Sequence, residues 1–125
     1  MILDLNKTTL EMVRGDTFIL PLALNCGTRE NFIQYSLQDN ECLYIGIMKY
    51  NQPFEHAEIR CMLNKDSEID SNGNYIMKLS PEHTVNMEPG KYYLSIKLSN
   101  GVDIYTLVDG KIFFITGSSP CYDMR

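Results

Sequence analysis

Tryptophan is absent from this chain of 125 residues, and histidine occurs only as His56 and His83. Neither histidine has a second His, Cys or carboxylate spaced to converge with it on a metal. In Glu55-His56 and Glu82-His83 the two neighbours would point to opposite faces of a strand, so both histidines read as solvated surface residues. The four cysteines, Cys26, Cys42, Cys61 and Cys121, include no C-x-x-C pair, which excludes the common zinc spacings. An even count permits two disulfides. The acidic start Met1-Ile2-Leu3-Asp4 lacks the basic region and apolar run of a secretory leader, and so favours a reducing compartment and four free thiols. No apolar run approaches the roughly 20 residues of a membrane-spanning helix, and a soluble protein is expected.

Positive charge is also scarce, with 11 Lys and Arg against 16 Asp and Glu, a net charge of -5 and a pI near 4.9. The basic residues form no stripe, which argues against nucleic acid or an anionic membrane as partner, since both are bound by clustered cations. Catalytic signatures are missing too: no G-x-S-x-G elbow, no G-x-G-x-x-G fingerprint, no P-loop. No catalytic residue, metal or cofactor is therefore expected, and the chain reads as a non-enzyme. Asp66, Glu68 and Asp70 alternate like the start of a calcium loop. Counted from Asp66, however, such a loop needs glycine where Ser71 stands and glutamate where Met77 stands, so these acids read as surface-loop charge. Arg14-Gly15-Asp16 is the tripeptide some extracellular proteins present to integrins, but a Gly and an Asp between two apolar strands are what a tight turn requires.

What the chain does carry is strands. A hydrophobic content of 44% with 22% charge fits an ordered chain, and the length fits one domain over residues 1–125 with a short flexible tail from about 117. Short apolar segments closed by turn signals mark a sandwich or barrel. They lie at residues 8–13, 17–24, 41–50, 55–63 and 75–79. Pro21 cannot donate a ladder hydrogen bond, which makes its segment an edge or bulge site. Gly46, inside the apolar run Cys42-Leu43-Tyr44-Ile45-Gly46-Ile47-Met48, predicts a bulge or a close approach. Residues 25–40 show little periodicity and read as the longest loop, with a short strand near 31–35 as the option inside it. Ser80-Pro81-Glu82-His83 supplies an N-cap hydroxyl and a first-turn proline, predicting one short helical turn near residues 81–87. Residues 91–98 alternate cleanly. Asn100-Gly101 and Asp109-Gly110 are both hairpin signals, so 90–116 reads as a three-stranded antiparallel meander.

Tyrosine is abundant, with eight copies. Tyr93 and Tyr105 fall on the less apolar sides of neighbouring predicted strands. They read either as a half-buried cross-strand pair or as a surface for contact with protein or sugar.

The order of these motifs resembles a known family. Arg14-Gly15-Asp16-Thr17 opens an apolar strand and Ser80-Pro81-Glu82-His83-Thr84 makes a turn. Met87-Glu88-Pro89-Gly90-Lys91-Tyr92-Tyr93 starts another strand, and Tyr105-Thr106-Leu107-Val108-Asp109-Gly110-Lys111 precedes the last one. This is similar to phage and prophage structural proteins, in particular the immunoglobulin-like N-terminal domain of baseplate upper proteins and related tail or neck proteins. The resemblance runs from about Val13 to Ile115. It implies an immunoglobulin-like antiparallel β-sandwich of about 7–9 strands, and a non-enzymatic assembly role in the virion, or in the host bacterial cytoplasm before assembly. The implied partners are other phage structural proteins or further copies of the chain. The chain departs from the pattern in residues 25–40 and in its cysteines, and the resemblance carries over no site residues. The alternative is a carbohydrate-binding or accessory β-sandwich module that uses tyrosines as its platform, which the missing tryptophan weakens.

Overall fold

The structure, a computed structural model, describes residues 2–5, 9–28 and 31–117. Thr8, Cys121 and the tail after 117 lie outside them. Among the described residues the fold is an all-β sandwich of nine strands. Strands β1 (Ile2–Asp4), β3 (Phe18–Thr28), β4 (Asn31–Gln34) and β7 (Tyr75–Leu79) make one sheet, in which β3 pairs with the other three. The second sheet runs in the order β2 (Leu10–Val13), β9 (Ile104–Thr116), β8 (Gly90–Ser99), β5 (Cys42–Met48), β6 (Ile59–Leu63). With β3 and β7 in the places of strands B and E, and β5, β8 and β9 in those of C, F and G, the strand order is immunoglobulin-like.

Period-2 side-chain patterns build the core between the two sheets. Leu20, Leu22 and Leu24 of β3 and Tyr75, Met77 and Leu79 of β7 face Leu43, Ile45 and Ile47 of β5 and Tyr92, Leu94, Ile96 and Leu98 of β8 across one buried cluster. Phe113 and Ile115 of β9 join it, and Phe18 meets Phe113 edge to face with ring centroids 5.3 Å apart.

Several expectations are corrected. The sandwich is not wholly antiparallel: β2 pairs in parallel with β9, Leu10 opposite Phe113 and Met12 opposite Ile115. The N-terminal segment pairs first with β3 through β1, then crosses to the other sheet, where a strand entering from that side meets β9 in parallel. The supposed loop of 25–40 is partly strand, because β3 runs on to Thr28 and hairpins with β4. Strand β6 begins only at Ile59, since Phe54–His56 forms a 3-10 turn that carries Phe54 onto β5. The helical turn α1 spans Pro81–Thr84, shorter than 81–87, and His83 Nδ1 accepts the Ser80 N–H at 3.0 Å. The meander of 90–116 is one hairpin: β9 is continuous, Asp109-Gly110 is a bulge inside it, and Asn100 to Asp103 form a four-residue loop, with Ser99 opposite Ile104.

Two corners lock the sandwich ends. Gly15 N–H donates to the Oγ1 of buried Thr84 at 2.9 Å, and Asp16 N–H to Val13 C=O at 3.1 Å, so Arg14-Gly15-Asp16 is a turn held against α1. Tyr92, 3% exposed near the start of β8, donates its hydroxyl to Glu88 C=O at 2.7 Å. This is the tyrosine corner expected where E meets F in immunoglobulin-like sandwiches. Burial, with smaller contributions from the charges of Glu58 and Glu88, raises the Tyr92 hydroxyl above its ordinary pKa.

Candidate functional site

The two tyrosines singled out by sequence are not brought together. Tyr93 lies opposite Ile112 on the outward face of β8, whereas Tyr105 lies opposite Leu98 near the loop end of the hairpin, five residues and roughly 17 Å further along the strand. The four-residue loop, longer than the two-residue turn the Asn100-Gly101 signal implies, sets this register and places Tyr105 on the side of buried Leu98. Each tyrosine nevertheless lines a groove of its own.

The recess at Tyr93 is built on the outward face of the five-stranded sheet. Tyr93, Ser95 and Lys97 of β8 stand there beside Met48, Gly46 and Tyr44 of β5, in that register. Gly46 is required by close approach: a Cβ at this position would lie 2.9 Å from Phe54 Cε2 and 3.2 Å from Ala57 Cβ. The Phe54 ring therefore packs against β5 at Gly46, and Lys97 Nζ sits 4.9 Å from its ring centroid.

The chain beyond Met48 turns through residues 49–52. Lys49 N–H donates to Gln52 Oε1 and Gln52 N–H returns to Lys49 C=O, both at 3.1 Å, while Asn51 takes a positive φ of 62° that Asn tolerates better than most residues. This turn lifts Tyr50, 74% exposed, to 6.0 Å from Tyr93 with the rings tilted by 50°. On the opposite side the β9 bulge closes the recess. Between the pairs Leu94–Lys111 and Ile96–Val108 one β8 residue, Ser95, faces two on β9, Asp109 and Gly110, and a second register shift follows between Ile96 and Lys97. Gly110 absorbs the extra residue at φ 70°, and its N–H donates to Ser95 Oγ at 3.0 Å. Asp109 is thereby set on the rim. The result is an open cleft of about 520 Å³ with β8 as its floor.

A second feature is the hairpin tip. Val102, Ile104 and Tyr105 are 88%, 66% and 53% exposed, within four consecutive residues. The tip is ordered from within: Asn100 Oδ1 accepts the N–H groups of Val102 and Asp103 at 2.9 and 2.7 Å, and Asn40 Nδ2 donates to Asn100 C=O at 3.2 Å.

Tyr35 and His83 have structural partners. The Tyr35 hydroxyl donates to Glu41, and that bond, ahead of burial and the Glu41 charge, pushes its pKa up to about 12. Burial raises the thiol of Cys61, which is free, as are Cys26 and Cys42. His56 is exposed and His83 half-buried in its capping role. Among the described residues no three His, Cys, Asp or Glu side chains cluster as metal ligands, and no helix is long and apolar enough to cross a membrane.

Tyr50, Asn51, Lys97 and Asp109 were not singled out in the sequence. Asn51 and Asp109 sit in turn dipeptides whose local chemistry announces a bend without saying what the bend faces. No protein-family model matches the chain, and no curated protein matches it.

Proposed function

We propose that the chain is a non-enzymatic structural component of a phage or prophage particle, in the baseplate, tail or neck, acting through protein–protein contacts. The observation that carries this reading is the hairpin tip. Three large apolar side chains at an internally hydrogen-bonded hairpin tip, Val102 in the loop and Ile104 and Tyr105 at the start of β9, stand more than half exposed and cost solvation there. A partner surface that covers them recovers that free energy, and repeated copies in a symmetric particle make modest contacts effective. The motif order described above supports the particle setting.

The test is made on particles induced from the bacterium that encodes the chain, purified by density and probed by quantitative mass spectrometry. The chain is expected in stoichiometric amount with the other particle proteins, and a Val102→Glu, Ile104→Glu variant is expected to fold but be lost from them. Particles assembled without any of the chain would refute the proposal.

A further inference from the structure

We propose that the cleft between the 49–52 turn and the β9 bulge is a carbohydrate-binding site for a neutral pyranose ring. The inference goes beyond the assembly role and stands whether or not the chain belongs to a particle.

Sugars are recognised by two chemistries together: an aromatic surface for the apolar C–H face of the ring, and paired donors and acceptors for its hydroxyls. Both are present. Tyr50 and Tyr93 form an aromatic corner, rings 6.0 Å apart and tilted by 50°, and Tyr50 keeps three-quarters of its surface in water. A ring so exposed adds little to folding. Around it stand the Asn51 carboxamide and the Asp109 carboxylate, neither of which makes a hydrogen bond to another described residue, and the Lys97 ammonium held over Phe54. A carboxamide donates and accepts, a carboxylate accepts and an ammonium donates, which matches vicinal hydroxyls that each do both.

The cleft is also preorganised. The cleft is flanked by Asn51 at φ 62°, uncommon for a residue other than glycine, and by Gly110 at φ 70°, which glycine adopts readily. Each is fixed by hydrogen bonds, the first through the Lys49 and Gln52 pair and the second through Ser95 Oγ. Groups positioned before binding lose less freedom on binding, and local strain held in place by surrounding structure is a feature of ligand sites.

Charge selects the sugar class. Among the lining residues Lys97 and Asp109 contribute one charge of each sign and Lys49 is paired with Glu58 at 4.0 Å, so the lining charges balance, while Lys91 Nζ lies 5.9 Å from the Tyr93 ring centroid outside that lining. The cleft volume of about 520 Å³ lies within the range of small-ligand sites. Its openness points to an affinity on the order of 1 mM per site, which repeated copies would multiply.

The experiment follows backbone amide shifts of isotopically labelled protein during titration with methyl glycosides of glucose, galactose, mannose and N-acetylglucosamine, and separately with N-acetylneuraminic acid. At least one neutral glycoside is expected to give saturable shifts at Tyr50, Asn51, Ser95 and Gly110. Tyr50→Ala and Asp109→Ala should each weaken binding roughly tenfold, as the loss of one stacking or charge-assisted contact does, while Tyr105→Ala leaves it unchanged. Both altered side chains are exposed, and the same spectra report whether the variants are folded. The proposal is overturned if no neutral glycoside moves the cleft amides. It is equally overturned if shifts persist in the Tyr50→Ala, Asp109→Ala double variant, or if only the anionic sugar binds. None of these outcomes bears on particle incorporation, which the hairpin-tip variant tests separately.

Discussion

Replacing Tyr92 by Phe isolates the tyrosine corner from the core around it. The ring, 3% exposed, stays in place and leaves no cavity, so the perturbation is one hydroxyl and its 2.7 Å bond to Glu88 C=O. That distance is the normal value for an O–H···O bond. A neutral hydrogen bond contributes about 0.5–1.5 kcal/mol net, and a buried acceptor left bare costs more. Glu88, however, is exposed, so water can reach its carbonyl once the hydroxyl is gone. The expected loss is therefore about 1 kcal/mol, or roughly 4 °C in Tm for a chain of this length. Urea unfolding followed by circular dichroism measures it, with an unchanged m-value confirming that only stability has moved. Glu88→Ala is the control: the accepting group is main chain, so its loss should stay within about 0.5 kcal/mol. The reasoning is refuted if Tyr92→Phe matches the wild type within about 0.3 kcal/mol, or if Glu88→Ala costs as much as Tyr92→Phe.

Other positions give sharper structural outcomes. Gly46→Ala drives a methyl group into the Phe54 ring and should cost about 1–3 kcal/mol, and Gly46→Ala with Phe54→Ala should cost less than the two single changes summed, measured by urea unfolding as a double-mutant cycle. Gly110→Ala forces a side chain into a left-handed conformation and should cost about 1 kcal/mol, while amide shifts at Ser95 report the disturbed bulge. The Tyr35 hydroxyl, raised from 10.0 to about 12, favours its neutral form in the folded state. Its contribution is full below pH 10 and lost as pH climbs from 10 through 12, so Tyr35→Phe should flatten that part of the stability profile. Burial holds the Cys61 thiol protonated, so at neutral pH it should alkylate more slowly with iodoacetamide than a free cysteine in solution, read by peptide mass spectrometry.

Strand identity was legible wherever one face is buried and the other wet. Residues 91–98 and 75–79 alternate because Tyr92, Leu94, Ile96 and Leu98, and Tyr75, Met77 and Leu79, all enter the core while their neighbours do not. Gly46 was legible as a close approach, and the partner proved to be Phe54. Pro21 reads as an edge or bulge site; it stands in unbroken register opposite Ile76 in β3, the strand the other three pair with, at a point where β7 is its paired neighbour and β1 pairs only with residues 23–25. The short strand offered near 31–35 is β4, but residues 25–28 hid their strand character because Cys26 opposes Ile33 on a short hairpin, where Ile33 is 65% exposed and no alternation survives. The parallel pairing of β2 could not be read locally, since nothing in Leu10 to Val13 states which sheet receives it.

Asp109-Gly110 shows why the cleft was harder to read than the fold. A type I′ turn and a glycine bulge both ask for a residue at positive φ, so the dipeptide satisfies either, and only long-range pairing decides. Had it turned, residues 111–116 would have paired back on 102–108. Gly90 to Leu94 would have lost their partners Ile115 to Lys111, and β2 would have lost the strand that buries Leu10 and Met12 beside Phe113 and Ile115. Continuing β9 as one strand keeps both sets of ladder bonds and the core residues they align, at the cost of a register shift between Ile96 and Lys97 and of one extra residue at Asp109-Gly110. That residue is absorbed where Ser95 Oγ can hold the Gly110 N–H, and the kink places Asp109 on the rim of the cleft opposite Tyr50. The rim carboxylate is thus a by-product of the pairing that closes the sandwich, which is why no pattern in residues 102–116 alone announces it.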